Sequence, residues 1–430
     1  MRGHFWKILP LGLIALALSV ACAPTAAPTP SPTTAPAPAA TSSKPAEKAA
    51  EKPAASPTAA PPSKPTGKPI KAAYLYPGSG PLAATQGFTQ RVAVRMALDE
   101  INNTGGINGS PLELVIKDSG CDPRQTVTLF RESAEKDQAV IVFGPLCSGE
   151  FEQAGPLAAE FKIPIIGTTV SKVGLTAPYR PWAFRMTITD DISPYSIVKA
   201  FHKVYPNAKR IAIIGDTKQA VLVPIGKEHF PNALKREGLE NLGTVEFTQG
   251  MTDMSPVVTR VKEMKPEGIL IAAFPDEWAF LAKELARQGV KVPVATALQG
   301  ATGNIAFTVK DEVEGWVTTS FFHVDLPAPE QKAWAKRYNG LCEADPSIPK
   351  PCYVSFEAQT YDAVMYAAKV MREGKVTGDT PFQQARQIIS DGFTAMKDYK
   401  GIARTYTMNK DGDAIGPDYP VIWEKGKWEL

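Results

Sequence analysis

The segment AVIVFGPLCSGEFEQAGPLAAEFKIPIIGTTVS, residues 139–171, contains the pattern that decides the fold. Two apolar, β-branched runs at 139–143 and 163–166 are short enough for strands and apolar enough to be buried on both faces of a sheet. A helical segment separates them, and a similar run at 112–116 ends at Asp118 before another helix. Strands that alternate with helices in this way predict an α/β fold with mostly parallel sheets.

Small hydroxyl residues follow the two strands of this segment. Ser148 comes after the first strand, and Thr168, Thr169 and Ser171 come after the second. In an open α/β sheet, ligands lie beyond the carboxyl ends of the strands, where helix N-termini present unpaired N–H groups. These residues therefore predict a site for an anion, most simply the carboxylate of a small ligand. Ser and Thr also cap helices, and both roles can hold at one position.

The composition predicts a large globular core and gives no sign of a nucleic-acid partner. The 430 residues are 44% hydrophobic and 21% charged, so one or two domains are expected. The net charge is only +3, which provides no electrostatic reason to bind nucleic acid. The four His residues are scattered, and we expect no cofactor and no resident metal. The run Asn-Lys-Asp-Gly-Asp at 409–413 lacks the distal Glu of a calcium loop and favours a hairpin turn.

Residues 1–21 have the pattern of a secretory signal, with a basic start, an apolar stretch and Ala21 before Cys22. A Cys at this position resembles the lipid-attachment site of bacterial lipoproteins. An ordinary signal peptide cut nearby and an uncleaved anchor are the alternatives, although the apolar stretch is shorter than the ~20 residues of a spanning helix. Residues 22–69 are rich in Pro and Ala, which predicts a disordered tether. We therefore expect an extracytoplasmic protein tethered to the bacterial membrane through Cys22.

Six segments occur in order over most of residues 71–430: GPLAATQGFTQ, ALDEINNTGGINGSPLELVIKDSGCDP, GPLCSG, IPIIGTT, FRMTITD and EGWVTTSFF. Their order and spacing together resemble the periplasmic binding proteins for leucine, isoleucine and valine, which deliver solutes to ABC importers. The resemblance implies two Rossmann-like lobes with mostly parallel sheets, joined by several hinge crossovers, with a ligand cleft between them.

The same resemblance divides the chain into lobes and implies a function. Lobe 1 is expected at 70–186 and 321–399, and lobe 2 at 187–320 and 400–430, where the tail 405–428 looks like a β-hairpin. A monomer that closes on its ligand and passes it to an importer permease is implied, rather than an enzyme. An extracytoplasmic ligand sensor and an exported α/β hydrolase are the alternatives.

The resemblance also implies a role for the hydroxyl residues. Ser148 and Ser171 would supply hydroxyl groups, and Thr169 would supply backbone groups, around the carboxylate and amine of the ligand. Leu146 and Cys147 belong to the same predicted site.

On the second lobe, the predicted site residues differ from the family pattern. Gln299 stands where amino-acid binders have a Glu for the ligand ammonium, and an amide cannot neutralise a cation. Phe274 stands where the family often has Tyr, and residues 220–224 are more apolar. We expect a small hydrophobic carboxylate or amino acid of the branched-chain or aromatic type, and these differences favour one without an α-amine. A shifted alignment is the alternative, since Asp276 and Glu277 lie close by.

Four cysteines remain beyond Cys22, and an even number in an exported chain favours disulfides. They lie in two pairs close in sequence, Cys121 with Cys147 and Cys342 with Cys352. The similar family has a bridge at the positions of the first pair, which would join two strand ends beside the proposed site. The second bridge would fasten a Pro-rich loop. Free thiols and metal ligation are the alternatives, although paired CxxC clusters are absent from the sequence.

Overall fold

The computed structural model describes residues 64–80, 82–219, 221–297, 305–352 and 354–430. The predicted signal peptide, Cys22, most of the predicted tether and Gln299 lie outside the described residues, so the statements about them stay predictions. In the described part of the chain, no helix combines the length and the apolar character needed to cross a membrane.

Strands and helices alternate along most of the described chain. The strands are β1 Ile70–Tyr76, β2 Leu112–Asp118, β3 Val142–Phe143, β4 Ile165–Gly167, β5 Ala183–Arg185, β6 Arg210–Asp216, β7 Glu240–Phe247, β8 Gly268–Ala272, β9 Val294–Thr296, β10 Val317–Ser320, β11 Tyr399–Lys400, β12 Thr405–Met408, β13 Ala414–Ile415, β14 Tyr419–Glu424 and β15 Lys427–Glu429. The α-helices are α1 Phe88–Asn103, α2 Pro123–Glu135, α3 Ser148–Glu160, α4 Ser193–Val204, α5 Leu222–Pro224, α6 Phe230–Arg236, α7 Ser255–Glu263, α8 Pro275–Arg287, α9 Pro329–Ala344, α10 Phe356–Glu373 and α11 Phe382–Thr394.

The first sheet has the strand order β2-β1-β3-β4-β5, and every neighbouring pair is parallel. The inner strand β1 is buried at every residue except Lys71, whereas the edge strand β2 is partly exposed. Alternate residues of β1 enter two different cores. Tyr74 packs in the core that contains residues of α1 and α10, and Leu75 packs in the core that contains Phe130 of α2 and Phe151 of α3. Helices therefore cover both faces of this sheet, as a parallel sheet requires.

The second sheet has the strand order β15-β14-β10-β9-β8-β6-β7. The strands from β6 to β10 pair in parallel, and the hairpin β14–β15 adds two antiparallel strands at one edge. The strand β8 is buried at every residue. On one face of this sheet, Trp278 and Trp316 pack with ring centroids 5.7 Å apart, in the same core as Trp423.

Three segments connect the two sheets: 186–192 after β5, 321–328 after β10, and 416–418 before β14. Beside them, Phe321 of the second crossover packs against Phe356 of α10 with ring centroids 4.9 Å apart. Two lobes with mostly parallel sheets, covered by helices and joined by several crossovers, confirm the predicted fold class.

The C-terminal tail differs from the single hairpin that the sequence predicts at 405–428. The strands β11, β12 and β13 form a small antiparallel sheet of their own, and only β14–β15 joins the second sheet. Tyr406 and Met408 are buried in the core of the first lobe. The prediction is wrong for the first half of the tail because Asp413 pairs with Arg185 of β5 at 2.6 Å and fastens this part to the first lobe. The other predicted lobe boundaries stay predictions.

Candidate ligand-binding site

The loop between β3 and α3 begins with a backbone conformation that favours glycine. Gly144 has a φ of +82°, and a Cβ atom there would collide with the carbonyl oxygen of Leu75. The chain then passes through Leu146 and Cys147, and Ser148 becomes the first residue of α3. Ser148 is half-buried at a helix N-terminus, where unpaired N–H groups and the helix dipole favour an anion.

The loop after β4, residues 168–172, lies against the start of α3. The backbone N–H of Lys172 donates to Ser148 Oγ at 3.4 Å, and Thr169 Oγ1 donates to the carbonyl oxygen of Leu146 at 2.6 Å. Ser171 is buried in the same loop. The predicted residues of the first lobe therefore meet at the carboxyl ends of β3 and β4. Their contact with a ligand stays a prediction.

A buried acid completes the N-terminal cap of α3. Glu150 Oε2 accepts a hydrogen bond from the backbone N–H of Cys147 at 3.2 Å, and its Oε1 accepts one from Thr126 Oγ1 at 2.8 Å. Burial raises the pKa of the Glu150 carboxyl, and these hydrogen bonds oppose the rise. Ser148 Oγ accepts a hydrogen bond from Lys172, and its hydroxyl proton has no acceptor among the described residues, so it can be donated to a ligand.

Both predicted disulfides are present. Cys121–Cys147, with a Cα–Cα distance of 5.7 Å, joins the turn after β2 to the N-cap of α3. Cys342–Cys352, with a Cα–Cα distance of 6.2 Å, joins the last part of α9 to the loop that follows. Glu150 lies close to the sulfur atoms of the first pair, but bonded sulfur atoms offer no thiolate to a metal ion.

Arg185 holds the loop 168–172 through its carbonyl groups. Its fully buried side chain donates from Nη1 to the carbonyl oxygens of Val170 at 3.3 Å and Lys172 at 2.5 Å. Its Nε donates to Asp413 Oδ1 at 2.6 Å, so the buried guanidinium keeps a charged partner. The turn at 409–413 therefore supports the loop, and its last carboxylate is engaged by Arg185.

A second buried acid, Asp190, lies beside Ser171. Its backbone N–H donates to the carbonyl oxygen of Ser171 at 2.9 Å, and only 2% of Asp190 is exposed. In the part of the chain that the structure describes, its Oδ2 has no hydrogen-bond partner. Burial raises the pKa of Asp190 to about 7, while the nearby Ser171 hydroxyl and the positive charge of Arg185 act in the opposite direction.

On the second lobe, the described candidates lie where β8 meets α8. Phe274 is the half-buried N-cap of α8 and packs against the core of its lobe. Asp276 is exposed, whereas Glu277 is buried and accepts a hydrogen bond from the backbone N–H of Gly250 at 3.2 Å. Burial raises the pKa of the Glu277 carboxyl. Gln299 lies outside the described residues, so its predicted role stays a prediction.

The two lobes, their crossovers and the loops at the sheet edges all fall within one family match. Residues 69–427 match the model of a protein family described as periplasmic binding protein. This chain belongs to that family. The resemblance inferred from the sequence segments is confirmed, and membership of the periplasmic binding protein family implies an extracytoplasmic location.

Curated relatives of this periplasmic binding protein include amino-acid binders. It is 24% identical over 253 residues to the leucine-, isoleucine-, valine-, threonine- and alanine-binding protein of Pseudomonas aeruginosa, an alignment that covers 58% of this chain and 66% of that protein. It is 27% identical over 259 residues to the Leu/Ile/Val-binding protein of Escherichia coli K12. That alignment covers 58% of this chain and 67% of the relative. The matched part of the chain thus spans about two thirds of the length of these relatives.

Solved structures share the fold of this periplasmic binding protein. The leucine-binding protein LivK of Thermotoga maritima has a TM-score of 0.73 and 20% identity, with 84% of this chain and 98% of that chain covered. A solute-binding protein of an ABC transporter from Rhodopseudomonas palustris, in complex with 4-hydroxybenzoate, has a TM-score of 0.72 and 17% identity, with 84% and 95% covered. At these identities the likeness establishes the fold alone.

Asp190 is the candidate site residue that sequence reasoning missed. It is the last residue of the FRMTITD segment, which contributes to the family resemblance but assigns Asp190 no role. Its burial and its unpartnered oxygen depend on the packing of the crossover against the loop 168–172, which no local pattern encodes.

Proposed function

We propose that this periplasmic binding protein captures a small amino acid with an apolar side chain and delivers it to an ABC importer. The observation that carries this proposal is Asp190, an acid beside a loop rich in hydroxyl groups, with a buried oxygen that no described residue contacts through a hydrogen bond. An amino acid has one carboxylate and one ammonium group. Its site therefore needs hydrogen-bond donors and an acid close together.

The donors belong to the start of α3 and the loop 168–172. Ser148 has a hydroxyl proton to donate, and it stands at a helix N-terminus that favours negative charge. The disulfide at Cys147 and the hydrogen bond from Thr169 to Leu146 fix this geometry before a ligand arrives. A preformed donor set of this kind supports the binding of a ligand carboxylate.

The acid that would receive the ammonium is Asp190. An ionised carboxylate that is buried without a partner is unfavourable, and a ligand ammonium would supply the missing donor and the missing charge. Asp190 then takes the role that the sequence comparison assigned to a Glu at the position of Gln299. Phe274 on the second lobe adds an apolar surface, and the relatives named for leucine, isoleucine and valine support an apolar side chain on the ligand.

Hinge closure is the proposed mechanism of capture. The hydroxyl groups for the ligand carboxylate stand on the first lobe, Asp190 stands on the first crossover, and Phe274 stands on the second lobe. A ligand that touches both lobes stabilises the closed arrangement only. We propose further that the protein acts as a monomer held at the membrane by a lipid on Cys22, which the signal pattern before that residue supports.

The test compares leucine with its deaminated analogue, 4-methyl-2-oxopentanoate, by titration calorimetry at pH 6, 7 and 8. If Asp190 receives an ammonium, it must be ionised, so the affinity for leucine rises with pH up to about 7 and then levels off. Below that pH the affinity falls by up to about tenfold per unit. The keto acid binds weakly at every pH. Leucine binding that is absent, or that does not change with pH, would contradict the proposal.

A deaminated aromatic acid is the second candidate ligand, and Phe274 favours it. With such a ligand, Asp190 would bind in its protonated form and donate to the ligand carboxylate. The affinity for 4-hydroxybenzoate would then fall as the pH rises through about 7, which is opposite in sign to the prediction for leucine. One set of titrations therefore separates the two candidates.

A further inference from the structure

Two buried amide side chains stand behind the loop 168–172. Gln359 of α10 and Gln90 of α1 are both fully buried. Gln359 Nε2 donates to the carbonyl oxygen of Thr168, and Thr168 Oγ1 lies 3.4 Å from its acceptor, Gln90 Oε1. Thr360 Oγ1 also donates to Gln90 Oε1, at 2.8 Å. The first residue of the loop is therefore held by helices that belong to the interior of the lobe.

The other end of the Gln359 amide faces the crossovers. Its Oε1 accepts a hydrogen bond from Arg404 Nη2 at 3.4 Å. Arg404 is 3% exposed and lies in the turn between β11 and β12. Its Nη1 donates to the carbonyl oxygen of Gly416 at 3.5 Å, and its guanidinium carbon lies 4.8 Å from the ring centroid of Phe321. Gly416 and Phe321 belong to two of the three crossovers between the lobes.

We propose that Gln359 is a positioning residue that couples the loop 168–172 to the hinge. Its amide can both donate and accept hydrogen bonds. The Nε2 group donates to the loop at Thr168, and Oε1 accepts from Arg404. A shift of the crossovers on closure moves Arg404, and the amide transmits that shift to Thr168 at the start of the loop. Ligand in the loop and closure of the lobes then favour each other, which is a coupling between two parts of one molecule.

The coupling rests on the proposed function for its ligand, but its physical basis can be measured without one. Hydrogen exchange of the unliganded full chain, followed by mass spectrometry, reports separately on peptides that contain the loop 168–172 and on peptides that contain the crossover, where Gly416 and Asp418 carry the exchangeable amides. Gln359→Met removes both bonds of the amide at similar volume. Gln359→Glu keeps an acceptor for Arg404 and removes the donor to Thr168. Ser390→Ala is the control, because it removes one hydrogen bond of a fully buried side chain in the same lobe, the bond from Ser390 Oγ to the carbonyl oxygen of Pro181.

We expect Gln359→Met to increase exchange in the loop and in the crossover together. Gln359→Glu should increase exchange in the loop alone, and Ser390→Ala in neither segment. With leucine as the ligand, Gln359→Met should also weaken binding by about tenfold, while Ser390→Ala leaves it unchanged. This pattern separates coupling from a general loss of stability, which would raise exchange in the control as well.

Unchanged exchange in the loop of both Gln359 variants would overturn the coupling. The same increase in the Ser390 control would also overturn it, because the effect would then be general. If Gln359→Met does not fold, the coupling is tested by comparing exchange in the loop 168–172 between Gln359→Glu and the Ser390→Ala control. A wild-type protein that fails to bind leucine would contradict the proposed function. The exchange measurements on the unliganded variants would still test whether Gln359 couples the loop to the crossover.

Discussion

Two buried aspartates, Asp190 beside the loop 168–172 and Asp362 on α10, both have a raised pKa but lie in different surroundings. Burial raises the pKa of each to about 7. Asp362 accepts hydrogen bonds from the backbone N–H groups of Ile402 at 2.6 Å and Ala403 at 2.8 Å, and from Tyr406 Oη at 3.0 Å. Asp190 leaves Oδ2 without a partner among the described residues.

This difference teaches that a raised pKa does not by itself identify a binding group. Asp362 uses its lone pairs to fasten the turn between β11 and β12 onto α10, so its role is structural. Asp190 has accepting capacity that the described chain does not use, and an external donor can fill it. The number of hydrogen-bond donors around each carboxylate therefore separates two acids that burial makes alike.

The largest expected effect is a loss of stability in Asp362→Asn. The Asn side chain would place an NH₂ group where a carboxylate oxygen now accepts hydrogen bonds. At least one of the donors around Asp362 would then be buried without an acceptor. We expect the free energy of unfolding to fall by about 3 kcal/mol, measured by urea denaturation. The exposed Asp379→Asn is the control and should change it by less than about 0.5 kcal/mol. If the two substitutions lower the free energy of unfolding equally, the structural role of Asp362 is contradicted.

Asp190→Asn should have the opposite profile. It keeps the shape of the side chain and removes the charge, so the affinity for leucine should fall by about 2 kcal/mol, roughly 30-fold, in titration calorimetry. At about pH 4, where the buried carboxyl is protonated, the free energy of unfolding of the unliganded protein should change by less than about 1 kcal/mol, because no donor of the described chain loses its acceptor at Oδ2. A variant that loses stability and keeps its affinity would make Asp190 an acid of the same kind as Asp362.

The pH dependence of stability sharpens the comparison further. The folded-state pKa of Asp190 lies above its ordinary value of 3.8, so the folded protein binds more protons than the unfolded chain between about pH 4 and 7. Its contribution to stability is present below about pH 4 and is lost as the pH rises towards 7, by about 1 kcal/mol per pH unit. Urea denaturation at pH 5, 6 and 7 should therefore show Asp190→Asn gaining stability relative to the wild type as the pH rises. A constant difference would contradict the raised pKa.

The smallest expected effect belongs to Ser148→Ala. Among the described residues, its hydroxyl accepts only the long 3.4 Å bond from Lys172, so the free energy of unfolding should change by less than about 0.5 kcal/mol. The affinity for leucine should fall by about 1 kcal/mol, because one donor to the ligand carboxylate is removed. Calorimetry of leucine binding checks this, and an unchanged affinity would exclude Ser148 from the site.

The sequence predicts the frame of the site because the frame follows from local patterns. Apolar runs of strand length place β3 and β4 side by side, and parallel strands bring their carboxyl ends to one edge. Ser148 and Thr169 must then lie near each other. The Cys121–Cys147 bridge, which the even number of cysteines and the family resemblance predict, joins the ends of β2 and β3 beside this site.

The rest could not be predicted because it depends on contacts between distant parts of the chain. Gln359 reaches Thr168 across 191 positions, and Arg185 reaches Asp413 across 228. A buried amide or guanidinium shows no periodicity that identifies its partner. For the same reason, the tail was predicted as one hairpin, since the contact that divides it lies in β5.

The disulfide between Cys121 and Cys147 sets a condition for preparing the protein. Because one of its sulfur atoms belongs to the residue that precedes Ser148, chain recovered from a reducing cytosol would carry two free thiols next to the loop 168–172. Such material would react with alkylating reagents at this loop, and refolding under an oxidising thiol couple would be needed before any binding measurement.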